Sequence, residues 1–176
     1  MDELVNSDPH VEIIWRAFEL RPEPAPLPDP NSEYLRRVWR DSVAPLAERL
    51  GVTMRFPRVK PRTRLAHEAA HWSRAQSRFD DYHHEIFRAF FERGEDIGDI
   101  DVLVALALRL GLDSHSLQQA LISHEFAASV LADEGEAANL GVSGVPAFIA
   151  DRKAALSGVQ PFENLKRLVE SVRDAG

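Results

Sequence analysis

The chain has 176 residues, a length that suits one domain with its own hydrophobic core. Its 28 acidic and 21 basic residues give a formal net charge of −7, which argues against a general nucleic-acid-binding protein. No apolar run approaches membrane-spanning length, and the N-terminus lacks the regions of a signal peptide, so we expect a cytoplasmic protein without a membrane partner. The sequence contains no cysteine, which excludes thiol chemistry in the chain as given.

The first third of the chain predicts a strand, a proline-rich loop and a helix. β-Branched and aromatic residues are dense in residues 11–18, which predicts a strand. Residues 21–30 hold five of the eleven prolines and cannot form a helix. Capping side chains around Ser32 predict a helix that runs to about residue 50, where Gly51 follows.

The centre of the chain has the apolar spacing of helices and contains no internal repeat. Five helical segments are predicted here, over residues 64–78, 79–93, 99–110, 113–123 and 125–140. Two glycines, Gly141 and Gly144, then end the helical part. A strand over residues 146–150, a turn, a strand over 154–158 and a helix over 161–173 complete the chain.

One short motif on the first of these helices has the pattern of a zinc protease. His67-Glu68-Ala69-Ala70-His71 places two histidines at positions i and i+4, on one helix face, with Glu68 as the candidate general base. Such a site also needs a third ligand, and no acidic residue or histidine downstream has the spacing of a known zinc protease. We therefore favour packing of this helix face and predict no metal site.

The C-terminal part of the chain resembles a known fold. Gly144-Val145-Pro146-Ala147-Phe148, followed by a hairpin, by Ser157-Gly158-Val159-Gln160-Pro161 and by a last helix, resembles the second half of a thioredoxin fold. From about Val11 to the end, including Trp15-Arg16-Ala17-Phe18-Glu19-Leu20, the chain resembles the DsbA-like branch that contains FrnE proteins and hydroxychromene-carboxylate isomerases.

The resemblance implies an α/β thioredoxin-like fold with a large helical insertion. It implies a single domain over residues 1–176, with the insertion at 32–140 and a strand–strand–helix unit at 141–176. In this family a Cys-x-x-Cys pair ends a first strand that precedes the stretch matching 11–20. Only ten residues stand before that stretch here, so we expect an N-terminally truncated sheet with open edges and no catalytic residue. A start placed too far downstream is the most economical explanation.

The resemblance also implies a ligand cleft that needs no cysteine and no cofactor. The bond before Pro146 is cis in the family, and the backbone of Val145 would bind an extended peptide or a small ligand there. Arg16 and Glu19 are candidate cleft residues, although solvent-exposed strand ends explain them equally well. Three functions stay open: a redox-inactive DsbA/FrnE-like protein that keeps this cleft, a non-catalytic dimeric scaffold that pairs through its open edges, and a glutathione-dependent isomerase.

Overall fold

The computed structural model describes residues 1–173, with the backbone alone at residue 2. It is an α/β structure with many helices and one small sheet. A π-helical turn at Trp39–Val43 joins the helices Glu33–Val38 and Ala44–Arg49, and another at Arg88–Arg93 continues the helix Phe79–Phe87. In chain order the elements are α1 Asp2–Ser7, α2 Glu33–Val38, α3 Ala44–Arg49, α4 Arg64–Ala75, α5 Phe79–Phe87, α6 Ile100–Arg109, α7 Ser114–Ile122, α8 Ala127–Asn139, β1 Ala147–Ala150, β2 Ala154–Ser157 and α9 Phe162–Arg173.

The chain forms two compact units. One contains residues 1–20 together with the C-terminal part from Ala132 onward, and the other contains residues 21–131. The prediction of a single domain with an insertion over 32–140 stays a prediction. Within residues 1–173, no helix combines the length and the hydropathy that a bilayer crossing requires.

The unit of residues 21–131 has a helical core that its sequence spacing predicts. Tyr82 from α5 is fully buried, and its hydroxyl donates a hydrogen bond of 2.8 Å to the carbonyl oxygen of Leu103 in α6. Side-chain caps begin the later helices: a carboxylate oxygen of Asp99 accepts from the backbone N–H of Asp101 at 2.8 Å. The core is built from the buried faces of α4 to α7, with Ala69, Trp72, Leu103, Leu106, Leu117 and Leu121 at its centre.

The unit formed by both ends of the chain contains the hairpin and the last helix. β1 and β2 pair antiparallel, with Phe148 opposite Leu156. Helix α9 contacts both strands and α1, and it buries Leu165 and Val172. The sequence predicted these strands and this helix within one or two residues, because a tight turn and an amphipathic segment are local signals.

The strand predicted over residues 11–18 is wrong. Among the described residues the sheet contains only β1 and β2, and residues 11–18 have no regular secondary structure. Part of this backbone bonds to α8 side chains instead: Ala17 N–H donates to Oδ2 of Asp133 at 2.9 Å, and Glu19 N–H donates to Oε1 of Glu134 at 3.2 Å. β-Branched and aromatic residues favour an extended backbone, but a strand also needs a neighbouring strand, which composition does not supply.

Candidate functional site

The hairpin begins at the two residues that the sequence singled out. The peptide bond between Val145 and Pro146 is cis. The carbonyl oxygen of Pro146 accepts a hydrogen bond of 2.8 Å from the N–H of Gly158, so the ladder extends one residue before β1. Val145, which precedes the strand, is 47% exposed.

This pairing decides which backbone groups of β1 are turned toward β2. In an antiparallel pair, alternate residues exchange hydrogen bonds with the partner strand, and the others direct their N–H and C=O groups to the opposite edge. Because Pro146 bonds to Gly158, the register puts Phe148 and Ala150 in the bonded positions. The backbone groups of Ala147 and Ile149 therefore face away from β2. We call this side of β1, together with the neighbouring Val145, the β1 edge.

The β1 edge has no strand beside it in the part of the chain that the structure describes. The sheet there has two strands in the order β1–β2, so β1 pairs on one side only. Ile149 on this edge is 37% exposed, and Val145 is more exposed still. The edge therefore combines N–H and C=O groups that do not bond to β2 with exposed apolar residues.

Arg16, the third candidate residue, lies against the acidic part of α8. Its Nη1 atom is 3.0 Å from Oδ1 of Asp133, and its Nη2 atom is 3.7 Å from Oε2 of Glu136. Glu136 also pairs with Arg152, which lies in the turn between β1 and β2. The described contacts of Arg16 thus connect it to α8 and, through Glu136, to the turn end of the hairpin. Val145 and Pro146 lie at the other end of β1.

Glu19, the fourth candidate, is 6% exposed and lies beside α8, where its N–H bonds to Glu134. The structure therefore brings Arg16 and Glu19 to one helix and brings Val145 and Pro146 to one strand end. Whether Arg16 and Glu19 contact a ligand stays a prediction.

Sequence reasoning missed the acidic residues of α8 that hold the N-terminal segment. Asp133 is 4% exposed, and its two carboxylate oxygens accept from Ala17 N–H and from Arg16. Asp133 and Glu136 are three residues apart, a spacing that places them on one helix face. That spacing was the available signal, but it does not reveal which backbone the carboxylates meet.

The zinc-protease interpretation has no support from the geometry of α4. Glu68, the candidate general base, is 1% exposed, and its Oε1 atom lies 3.2 Å from Nδ1 of His124. Its Oε2 atom is buried with no hydrogen-bond partner. Across residues 1–173, no group of three or more histidine, cysteine, aspartate or glutamate side chains is arranged to hold a metal ion. Glu68 thus belongs to the interior of the helical unit and not to an open catalytic position.

Comparison with known proteins agrees with the fold. The family model described as DSBA-like thioredoxin domain matches residues 1–170. The uncharacterized protein YwbO of Bacillus subtilis (strain 168) is 43% identical over 114 residues, which are 63% of this chain and 57% of that protein. The matched region thus spans little more than half the length of this curated relative.

A solved structure is similar over almost the whole chain. The crystal structure of a probable DsbA oxidoreductase from Streptomyces coelicolor superposes with a TM-score of 0.82 at 26% identity, covering 99% of this chain and 82% of that one. The DsbA-like thioredoxin fold expected from the sequence is thereby confirmed, while the FrnE-like branch and the truncation stay predictions. The chain belongs to the DSBA-like thioredoxin domain family.

Proposed function

We propose that this chain binds an extended peptide along the β1 edge and performs no thiol–disulfide exchange itself. The observation that carries the proposal is the bonded pairing of Pro146 with Gly158, which directs the backbone groups of Ala147 and Ile149 away from β2. A peptide that adds as a strand gains affinity from main-chain hydrogen bonds, and it gains specificity from pockets for alternate side chains.

The absence of thiol chemistry follows from the composition. Disulfide exchange requires a thiolate that attacks a disulfide sulfur atom. None of the 176 residues is a cysteine, so no residue of this chain can form the mixed disulfide. Main-chain binding needs no thiol, and it is the part of the family's function that these residues can perform.

Replacing Ala147 with proline tests the proposal. Ala147→Pro removes one N–H from the β1 edge without removing a ladder bond to β2, because Ala147 is at a non-bonded position of the hairpin. We expect the variant to keep its fold and to lose about twofold to tenfold in affinity, which corresponds to one lost hydrogen bond of about 0.5–1.5 kcal/mol. Fluorescence anisotropy with labelled, cysteine-free heptapeptides that carry apolar residues at alternate positions measures the binding.

Ser157→Pro is the matched control, because Ser157 is opposite Ala147 and its N–H faces the other edge of the hairpin. This control should bind the peptides as the unchanged chain does. Equal losses in both variants, or no binding of any heptapeptide to the unchanged chain, would contradict the proposal.

The β1 edge also suits a second occupant, another copy of this chain. An unpaired strand edge is a general site of self-association, and this favours the dimeric scaffold as the second candidate function. Sedimentation velocity separates the two functions: a dimer that Ala147→Pro converts to a monomer supports the scaffold, and a monomer that binds peptide supports the peptide site.

A further inference from the structure

The helical unit of residues 21–131 has a pocket that the proposed function does not use. Its volume is about 460 Å³, within the usual range for small-molecule sites. The pocket is lined by Pro30, Asn31, Arg36, Trp39, Phe56 and Arg58. These residues come from the proline-rich loop, from α2 with the π-helical turn that follows it, and from the loop after α3.

Two guanidinium groups in this pocket have no acidic partner among the residues that the structure describes. Within residues 1–173, neither Arg36 nor Arg58 forms an ion pair, whereas the neighbouring Arg40 pairs with Asp41 at 2.8 Å and Arg37 lies over the ring of Tyr34 at 5.9 Å. Residues 30–58 contain six arginines and three acidic residues, in a chain with a net charge of −7. The pocket therefore concentrates positive charge. No acidic side chain among the described residues neutralises Arg36 or Arg58.

Two of the residues that line the pocket are aromatic. The rings of Trp39 and Phe56 meet edge to face, with centroids 5.6 Å apart. Both rings are partly exposed, so part of their surface remains accessible from the pocket. Aromatic side chains of this kind stack against planar rings, and each stacked base contributes about 1–3 kcal/mol in nucleic-acid complexes.

The loop that carries Phe56 and Arg58 is anchored on both sides of Phe56. The N–H of Arg55 donates a hydrogen bond of 2.7 Å to the carbonyl oxygen of Phe91, and Pro57 is buried. Pro57 immediately precedes Arg58. A loop fixed in this way loses little conformational freedom when a ligand binds, which favours affinity.

We propose that this pocket binds a nucleoside monophosphate. Arginine's planar fork of donors matches phosphate oxygens, and two unpaired arginines suit the double negative charge of a phosphate ester. The Trp39–Phe56 pair suits the planar base of the same molecule. This site is independent of the β1 edge, so its failure would leave the proposed peptide binding unaffected.

Titration with AMP tests the site. Calorimetry and tryptophan fluorescence excited at 295 nm measure the binding. We expect saturable binding with a Kd below about 1 mM and a change in tryptophan emission that Trp39→Phe abolishes. Adenosine, which lacks the phosphate, and inorganic phosphate, which lacks the base, should each bind at least about tenfold more weakly. Arg36→Gln and Arg58→Gln should each weaken AMP binding at least about tenfold, because each removes charge-assisted hydrogen bonds.

Arg49→Gln is the matched control, since Arg49 is exposed on α3 and does not line the pocket. It should bind AMP as the unchanged chain does. The three arginine variants should also keep the unchanged chain's melting temperature, because surface substitutions rarely alter stability. No AMP binding up to about 5 mM, or equal losses in Arg36→Gln, Arg58→Gln and Arg49→Gln, would overturn the proposal.

Discussion

Glu68 has the spacing of a zinc-protease general base, but its environment is that of a buried core residue. Its carboxylate is buried, with one oxygen bonded to His124 and the other without a partner. A buried polar atom that lacks a hydrogen bond is unfavourable, and this cost opposes what the bond of the other oxygen contributes. We therefore expect the Glu68 carboxylate to add little net stability.

A pair of substitutions tests this assignment. Glu68→Met should leave the free energy of unfolding unchanged or raise it, whereas His124→Asn should lower it by about 1–3 kcal/mol, because the buried carboxylate then loses its hydrogen bond to the imidazole. Asparagine is chosen because His124 has a φ of +53°, a left-handed conformation that asparagine tolerates. Urea unfolding measures both variants. A loss above about 2 kcal/mol in Glu68→Met would show that the carboxylate stabilises the unit.

His83 should give the helical unit a pH-dependent stability. Burial, and next the neighbouring His84, lower the pKa of His83 from 6.5 to about 4. As the pH falls from about 6.5 to about 4, the unfolded chain takes up a proton that the folded chain does not, so this contribution to stability decreases across that range. The ring is held between Phe79 and Phe87, with centroids 4.9 Å and 4.7 Å away.

His83→Phe should remove this contribution while keeping an aromatic ring at the site. We expect the melting temperature of the variant to fall less between pH 7 and pH 4.5 than that of the unchanged chain. Thermal unfolding followed by circular dichroism at several pH values measures the difference. Parallel curves for the two proteins would mean that His83 does not contribute to the acid sensitivity.

At the scale of elements, α8 holds the extended N-terminal segment through side chains. Asp133→Ala should lower the free energy of unfolding by about 1–3 kcal/mol, because it leaves the buried Ala17 N–H without its acceptor and Arg16 without a close partner. Glu136→Ala is the control: its ion pairs are more exposed, so the loss should be below about 1 kcal/mol. Urea denaturation measures both, and equal losses would contradict the role given to Asp133.

Elements with local signals could be predicted from the sequence, and those that depend on distant contacts could not. Helix α6 was predicted within one residue at each end, because Asp99 caps it and Gly111, with a φ of +67°, follows it. The π-helical turns inside the helices predicted over 32–50 and 79–93 were missed, since one extra residue per turn has no sequence signature.

The same distinction applies to the candidate site. Val145 and Pro146 were found because they belong to a local motif that resembles a family. Asp133 was missed because its partner Ala17 is 116 residues away, and no spacing rule connects a carboxylate to a distant backbone N–H. The carboxylate Glu68 was found for the wrong reason, since its motif spacing is local but its burial depends on packing against other helices.

At the scale of the whole molecule, the family of the chain and its lack of cysteine have to be considered together. It belongs to the DSBA-like thioredoxin domain family, and it contains no cysteine. The two proposals follow from different parts of this molecule: the β1 edge offers backbone groups to a peptide, and the arginine pocket offers charge and aromatic rings to a nucleotide. Neither requires a thiol, so both interactions should be insensitive to redox conditions.

The most direct test of this account is peptide binding measured with and without a thiol reductant. The purified 176-residue chain is titrated into a labelled, cysteine-free heptapeptide, once with dithiothreitol and once with oxidised glutathione. We expect saturable binding with the same Kd in both conditions, and a weaker affinity in Ala147→Pro. An affinity that changes with the redox condition, or no binding in either condition, would contradict it.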